Sequence, residues 1–341
     1  MEQSYRFTEP QIFVDHQAHK RSGHMGHAMI QYAPGCILDF YSNVDYDRVH
    51  GHSGYGWMEY KRSEDGGKTW GPARVLDYSK KVFDAGVHTA LCEKGACTSD
   101  GTICLLFQIT DASLPIACEP WSEPTYIFSR DQGHTWSLAS TACDAKGRIY
   151  DARAKGNRVQ FLINRNEHFI GTGPEHDIAL YASDDPGKGF ELQSVLPIDG
   201  IGKGYCCMEY DVNGDLIAYV YDCRDETRMP YCISHDDGNT WSESGYGYFK
   251  QLIRNPQIAR TADGWFLHGR NGDKGDGLVI YHSEDGMHWD DGKVVIRRPG
   301  PGVGYYSNNL YLAEERKLLI QFSHVYDLNR VNIMHMWVEN T

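Results

Sequence analysis

The chain has 341 residues, of which 41% are hydrophobic and 23% charged, and 46 acidic against 33 basic residues give a formal charge of −13. This is the composition of a soluble globular protein with enough apolar residues for a sizeable core. No apolar run approaches the roughly 18 residues of a membrane span, and the negative balance disfavours nucleic acid, whose phosphates call for a surplus of Lys and Arg.

The N-terminus, MEQSYRFTEP, lacks the basic stretch and apolar segment of a secretory signal. Ten cysteines form no C-x-x-C pair and sit mostly inside apolar segments, which reads as reduced thiols and a cytoplasmic location, or a secreted one if a signal has been removed.

In chain order, a short strand is expected at Gln11 to Asp15, followed by two strands joined by a Gly-containing turn in Ala28 to Tyr41 and a third in Gly56 to Arg62. An octet, SEDGGKTW, then runs from Ser63 to Trp70. The pattern repeats. Thr89 to Phe107 and Thr125 to Phe128 lead to SRDQGHTW at Ser129 to Trp136, and Asp177 to Ala182 leads to SDDPGKGF at Ser183 to Phe190. Met208 to Tyr221 and Pro230 to Ile233 lead to SHDDGNTW at Ser234 to Trp241. Pro256 to His268 and Leu278 to His282 lead to SEDGMHW at Ser283 to Trp289. Three further strands are expected around Ser307 to Ala313, Lys317 to Phe322 and Val331 to Val338, and no stretch of helical length is amphipathic.

The octet S-x-D-x-G-x-T-W makes chemical sense as a turn between strands. Its Asp accepts nearby backbone N–H groups, its Gly supplies positive φ and its Trp is a large anchor. Units of roughly 50 to 65 residues with about four strands each have the size of a propeller blade. Five octets mark five blades. The last three strands, completed by the early one near residues 11–15, make a sixth, so residues 1–341 read as one all-β domain, a six-bladed β-propeller.

The octet resembles the Asp-box, or bacterial neuraminidase repeat, and the chain resembles the sialidase superfamily of six-bladed propellers. That resemblance implies three arginines gripping a substrate carboxylate, a Tyr nucleophile paired with a Glu, and an Asp acid/base. Gly304 to Leu310, GYYSNNL, is similar to the family's Tyr-Ser segment and makes Tyr306 the candidate nucleophile or base. The position of the family's Asp holds His52, a side chain that transfers protons near neutral pH. The region of the first Arg reads His24 to Met29 with no Arg, and Tyr205 or Cys206 stands near the expected Glu, with Glu209 a few residues late. Arg224, Arg254 and Arg270 lie near, but not on, the positions of the other arginines.

Inner strands around His27, His88, Tyr205, Arg254 and Tyr306, with Arg165, Arg224 and Arg270 at second-strand exits, are expected to surround one central funnel. Arg, Tyr and His there suit an anionic sugar. The leading expectation is a glycoside hydrolase acting on a glycan with a terminal, anionic sugar. The rivals are a polysaccharide lyase acting on a uronate with Tyr or His as base and acid, and a non-catalytic glycan-binding propeller. No cofactor and no metal is expected: the acidic turn Asp211 to Asp215 is more simply a hairpin, and the pairs His24 with His27 and His50 with His52 have no Cys or carboxylate cluster beside them.

Overall fold

The computed structural model describes residues 5–23, 25–50, 53–111, 123–165, 176–242, 244–272, 277–297, 304–328 and 330–340. His24 and His52 lie outside the described residues.

Six antiparallel sheets form the molecule, each of four or five strands. Their innermost strands are Ala28–Ala33, His88–Cys97, Gly147–Lys155, Lys203–Tyr210, Arg254–Thr261 and Ser307–Leu312 in blades 1 to 6. Each packs on the innermost strand of the next blade, and the sixth packs on the first, which closes a ring around a central axis. In the last blade the outer position is shared by two N-terminal strands, Tyr5–Phe7 and Gln11–Val14, both paired with Arg330–Asn340.

Several second strands are buried along most of their length, as in Leu216–Asp222 and Ile103–Asp111, because each sheet has a neighbouring blade on both faces. Such strands read as near-continuous apolar runs, which explains the weak alternation of the sequence. Aromatic side chains fill the spaces between sheets. Tyr5 packs edge-on against Phe266 at 5.0 Å between ring centroids, and Tyr126 meets Phe190 at 5.0 Å.

The octet turns have one repeated geometry. The Thr69 N–H donates to Asp65 Oδ1 at 2.9 Å, the Thr69 hydroxyl donates to Asp65 Oδ2 at 2.6 Å, and the Gly67 N–H donates to Ser63 Oγ at 2.9 Å. The same bonds recur at Ser129 to Thr135 and at Ser234 to Thr240. Gly67, Gly133 and Gly238 all take positive φ. The aromatic anchor faces backwards rather than entering its own next strand. Trp136 meets Phe40 of blade 1, the Trp241 indole donates to Ser194 of blade 3, and the Trp289 indole donates to Tyr219 of blade 4. Each turn therefore fastens its blade to the one before.

One helix departs from the sequence expectation. Residues Asp77–Asp84 form α1 between blades 1 and 2. Tyr78 and Val82, one turn apart, pack on the core, and Ser79 receives the Met58 N–H and donates to the Ala90 carbonyl. Two turns of mostly polar residues carry too short a pattern to stand out in a sequence, and tertiary packing supplies what local propensity lacks. The described cysteines form no disulfide, and no described helix is long and apolar enough to cross a membrane.

Candidate functional site

The site is built by a repeated irregularity of the inner strands. In blades 2 to 5 the pairing of the innermost strand with its neighbour slips, between Cys92 and Lys94, Ile149 and Asp151, Gly204 and Cys207, and Arg254 and Gln257. A bulge of this kind re-aims a side chain and bends the strand. The residues it re-aims are Glu93, Tyr150, Tyr205 and Asn255, and all four line one cavity on the propeller axis. Blades 1 and 6 complete the wall with Met25, Gly26 and His27 and with Tyr306 and Ser307. Tyr205, Asn255 and Tyr305 have φ of 45°, 54° and 65°, backbone that non-glycine residues seldom adopt and that clusters at functional sites. The enclosed space is about 20 Å³, room for one water or one substituent of a larger ligand.

The walls carry both signs of charge. Arg148 donates to Glu93 at 3.0 Å, and Gln108 donates to the same oxygen at 2.6 Å. Burial pushes the Glu93 carboxyl above its usual range, while Arg148 and then Lys94 pull it back. Burial is the largest single influence on Arg148 and works against its charge, but Glu93 together with Tyr150, Tyr205 and Tyr306 outweighs it, and Arg148 is held protonated more firmly than usual. Its guanidinium lies 5.0 Å from the Tyr150 ring centroid and 5.4 Å from that of Tyr205. Arg270 lies 5.2 Å from the Tyr306 ring centroid. Burial raises the Tyr205 phenol well above its ordinary value, helped by Tyr306 and Tyr150 and opposed by Arg148 and Arg270.

His27 begins a buried chain that leads away from the cavity. Its Nδ1 lies 2.9 Å from Gln321 Oε1, the Gln321 amide donates to Asp39 Oδ1, and Asp39 Oδ2 lies 2.8 Å from His335 Nε2. His335 stacks on Phe13 with centroids 3.8 Å apart. A carboxylate only accepts, so Gln321 must turn its NH2 to Asp39 and its oxygen to His27. His27 then carries its proton on Nδ1, and in the neutral ring Nε2 is left basic. Burial raises the Asp39 carboxyl, with His335 the main opposing influence.

The floor of the cavity is Lys94. Its ammonium donates to Asn308 Oδ1 at 2.6 Å and to Gln257 Oε1, and stands 3.4 Å from Asp151. Burial lowers its pKa. Lys94 also lines a second cavity of about 340 Å³ farther along the axis, beside Arg153, Glu209 and Arg260. The ammonium thus separates the two.

Of the residues singled out in the sequence, His27, Tyr205 and Tyr306 meet at the cavity, with Arg270 against Tyr306. Arg254 stands behind them. It forms an ion pair with Glu226 at 2.5 Å, and both contact the Tyr221 hydroxyl, whose ring is 5.7 Å from that of Tyr205. Arg165 is engaged by Asp177, Arg224 is exposed beside Gly202, and His88 opens the blade 2 inner strand; none of the three lines the cavity. Sequence reasoning missed Glu93, Lys94, Arg148, Tyr150 and Asn255. Two signals were present. Glu93 and Lys94 interrupt an apolar strand, where a buried charge is the informative exception, and Asn255 precedes a proline at a strand start.

No protein-family model matches the sequence, and no curated protein matches it. Solved structures do resemble it. A protein of unknown function from Dyadobacter fermentans superposes with a TM-score of 0.75 at 15% identity, over 99% of this chain and 100% of that one. The NanB sialidase of Streptococcus pneumoniae, as a K499G mutant, gives a TM-score of 0.63 at 11% identity, over 99% of this chain and 69% of its own. The Trypanosoma rangeli sialidase gives 0.64 at 12% identity, over 93% of this chain and 54% of its own. Identities this low speak for the fold alone. The chain is a sialidase-like six-bladed β-propeller.

Proposed function

We propose that the protein is a carbohydrate-active enzyme, a glycoside hydrolase that seats a terminal anionic sugar against the axial cavity with one substituent entering it. The observation that carries this reading is the grouping of Tyr306 and Tyr205 with Arg270 and Arg148 around one cavity that also holds Glu93 and His27. Arginine suits a sugar carboxylate, because charge-assisted hydrogen bonds are stronger than neutral ones. A tyrosine hydroxyl attacks the anomeric carbon without the repulsion that a carboxylate nucleophile meets beside an anionic substrate. In the proposed reaction the Tyr306 oxygen bonds to that carbon and gives its proton to His27 Nε2. The glycosidic bond breaks, and the leaving oxygen takes a proton from His52, the acid proposed from its sequence position. Water then displaces Tyr306 from the sugar and the protons return.

A second reading is favoured by one observation: Glu93, Asp151, Glu226 and Asp39, carboxylates around these groups, are each tied into ion pairs or a hydrogen-bonded chain. A polysaccharide lyase needs no free carboxylate pair. There His27 Nε2 removes the C5 proton of a uronate whose carboxylate an Arg neutralises, a C4–C5 double bond forms, and Tyr306 protonates the departing oxygen. Incubation with sialylated and uronate-containing oligosaccharides separates the readings. Hydrolysis releases a saturated sugar and takes up water; a lyase product absorbs in the ultraviolet as an unsaturated uronate. Glycan binding that persists in Tyr306→Phe, with no turnover by the parent protein, would leave a non-catalytic binding propeller.

A further inference from the structure

Asn255 is an anomaly within this cavity. It is 4% exposed, yet neither its amide nitrogen nor its amide oxygen meets a hydrogen-bonding partner in the protein. Buried polar groups are almost always paired, and an unpaired one carries a desolvation penalty. The neighbouring amides obey the rule: Gln257 accepts from Lys94, and Asn308 accepts from Lys94 and donates to the His27 carbonyl. Among the described buried amides, Asn255 alone has both ends unmet.

Its backbone is held in place at further cost. Asn255 has φ of 54° in front of Pro256, where extended backbone is the ordinary choice. The bulge it occupies is accommodated by Gly269 on the paired strand, since a Cβ there would fall 2.5 Å from the Arg254 carbonyl oxygen and 3.1 Å from that of Asn255. Positive φ alone does not explain the asparagine, because Tyr205 and Tyr305 adopt it in the adjoining blades. An asparagine in this conformation ordinarily pairs its side chain with nearby backbone. Asn255 does not, and it lines the cavity instead.

We propose that Asn255 forms a recognition subsite for an uncharged substituent that both donates and accepts, a hydroxyl or an acylamino group of the bound sugar. The amide offers one donor and one acceptor side by side, which matches such a group and not a carboxylate. Arg148, Arg270 and Lys94 supply the positive charge of the site, and Asn255 adds discrimination among sugars of equal charge. A site built to hydrogen-bond a substituent rejects analogues that lack it far more strongly than an apolar pocket rejects a methylene. This inference rests on the reading that an anionic sugar binds at the cavity.

The test is thermal denaturation of the whole chain and of Asn255→Gly, each alone and with millimolar N-acetylneuraminic acid, D-glucuronic acid or D-galacturonic acid. Glycine accepts the backbone conformation and removes the unmet amide. The expected result is a melting temperature for the free variant equal to or above that of the parent, with affinity for the stabilising sugar reduced about tenfold or more. A variant that melts several degrees lower when free, or that binds the sugar as tightly as the parent, overturns the role of Asn255. Failure of every sugar to stabilise the parent overturns the sugar-binding reading itself and this subsite with it. Asn255→Asp, which keeps the shape and loses the donor, is expected to weaken binding as well.

Discussion

Arg148 of blade 3 crosses to Glu93 of blade 2 and donates to its carboxylate at 3.0 Å, with the guanidinium only 2% exposed. The pair joins two blades and forms one wall of the cavity, so its members are answerable to each other. Removing one partner strands a buried charge, which typically costs about 3–5 kcal/mol, whereas replacing both is often tolerated. Arg148→Met is therefore expected to lower stability by about 3–5 kcal/mol in urea denaturation, and Glu93→Gln with Arg148→Met to recover much of it. Equal losses in the single and double variants would show that the pair contributes nothing as a pair.

Tyr306→Phe removes one oxygen from a ring that remains packed under Arg270. Turnover is expected to fall by about 100-fold or more, the usual scale for losing a group that moves a proton or forms a bond in the transition state. The circular dichroism spectrum and the melting temperature should stay close to those of the parent. A variant with parental kcat removes Tyr306 from the chemistry.

His27 depends for its tautomer on Gln321, which it touches, and through it on Asp39, which it does not. With Asp39→Asn, residue 39 no longer demands a donor from Gln321, and Gln321 no longer has to present its oxygen to His27. The expected outcome is a drop in kcat and a displaced acidic limb of the pH profile, the limb on which the base His27 becomes protonated, with KM changed less. Gln321→Glu is the informative companion: an anionic acceptor at Nδ1 favours the imidazolium and should move that limb to higher pH. Unchanged profiles in both variants would leave the chain a structural one.

Acid should destabilise the protein in two stages. Burial lowers His16 and His268 from 6.5 to about 3, so the folded state keeps these rings neutral while the unfolded state protonates them. Their contribution is complete above pH 6.5 and is lost as pH falls from there toward about 3. The octet carboxylates follow the same sign at lower pH. Asp65 and Asp236 are held at about 2 by their Thr hydroxyl and backbone donors, so stability present above 3.8 is lost as pH falls toward about 2. His268→Gln is expected to flatten the decline between pH 6.5 and about 4 without altering the later one. A melting temperature independent of pH across that window would contradict the neutral burial of both rings.

The repeat made the architecture legible because each octet is a local device. Ser63, Asp65, Gly67 and Thr69 satisfy one another within seven residues, so spacing along the chain carries the whole motif. The site is of the opposite kind. Its residues come from six blades, and four of them are turned inward by a slipped register that depends on the partner strand. Tyr306 and Tyr205 were found through a family resemblance and not through local pattern. Arg148 looked like any charged residue at a strand start, and its burial follows from Glu93, more than fifty residues earlier. The backward attachment of Trp136 to Phe40 was invisible for the same reason.

Tyr5 is paired with Asn340, and Phe7 with Val338. A ribosome makes Tyr5 and Phe7 long before Val338 and Asn340, so five blades emerge while the strand Tyr5–Phe7 waits with its hydrogen-bonding edge unmatched. Loop-closure entropy grows only with the logarithm of chain length, so the delay costs little once both edges exist. Before that moment the nascent molecule is an open crescent with sticky edges, vulnerable to pairing with its neighbours on the same message. The clasp that makes the finished ring hard to pry apart is also the part of the ring that waits longest for protection.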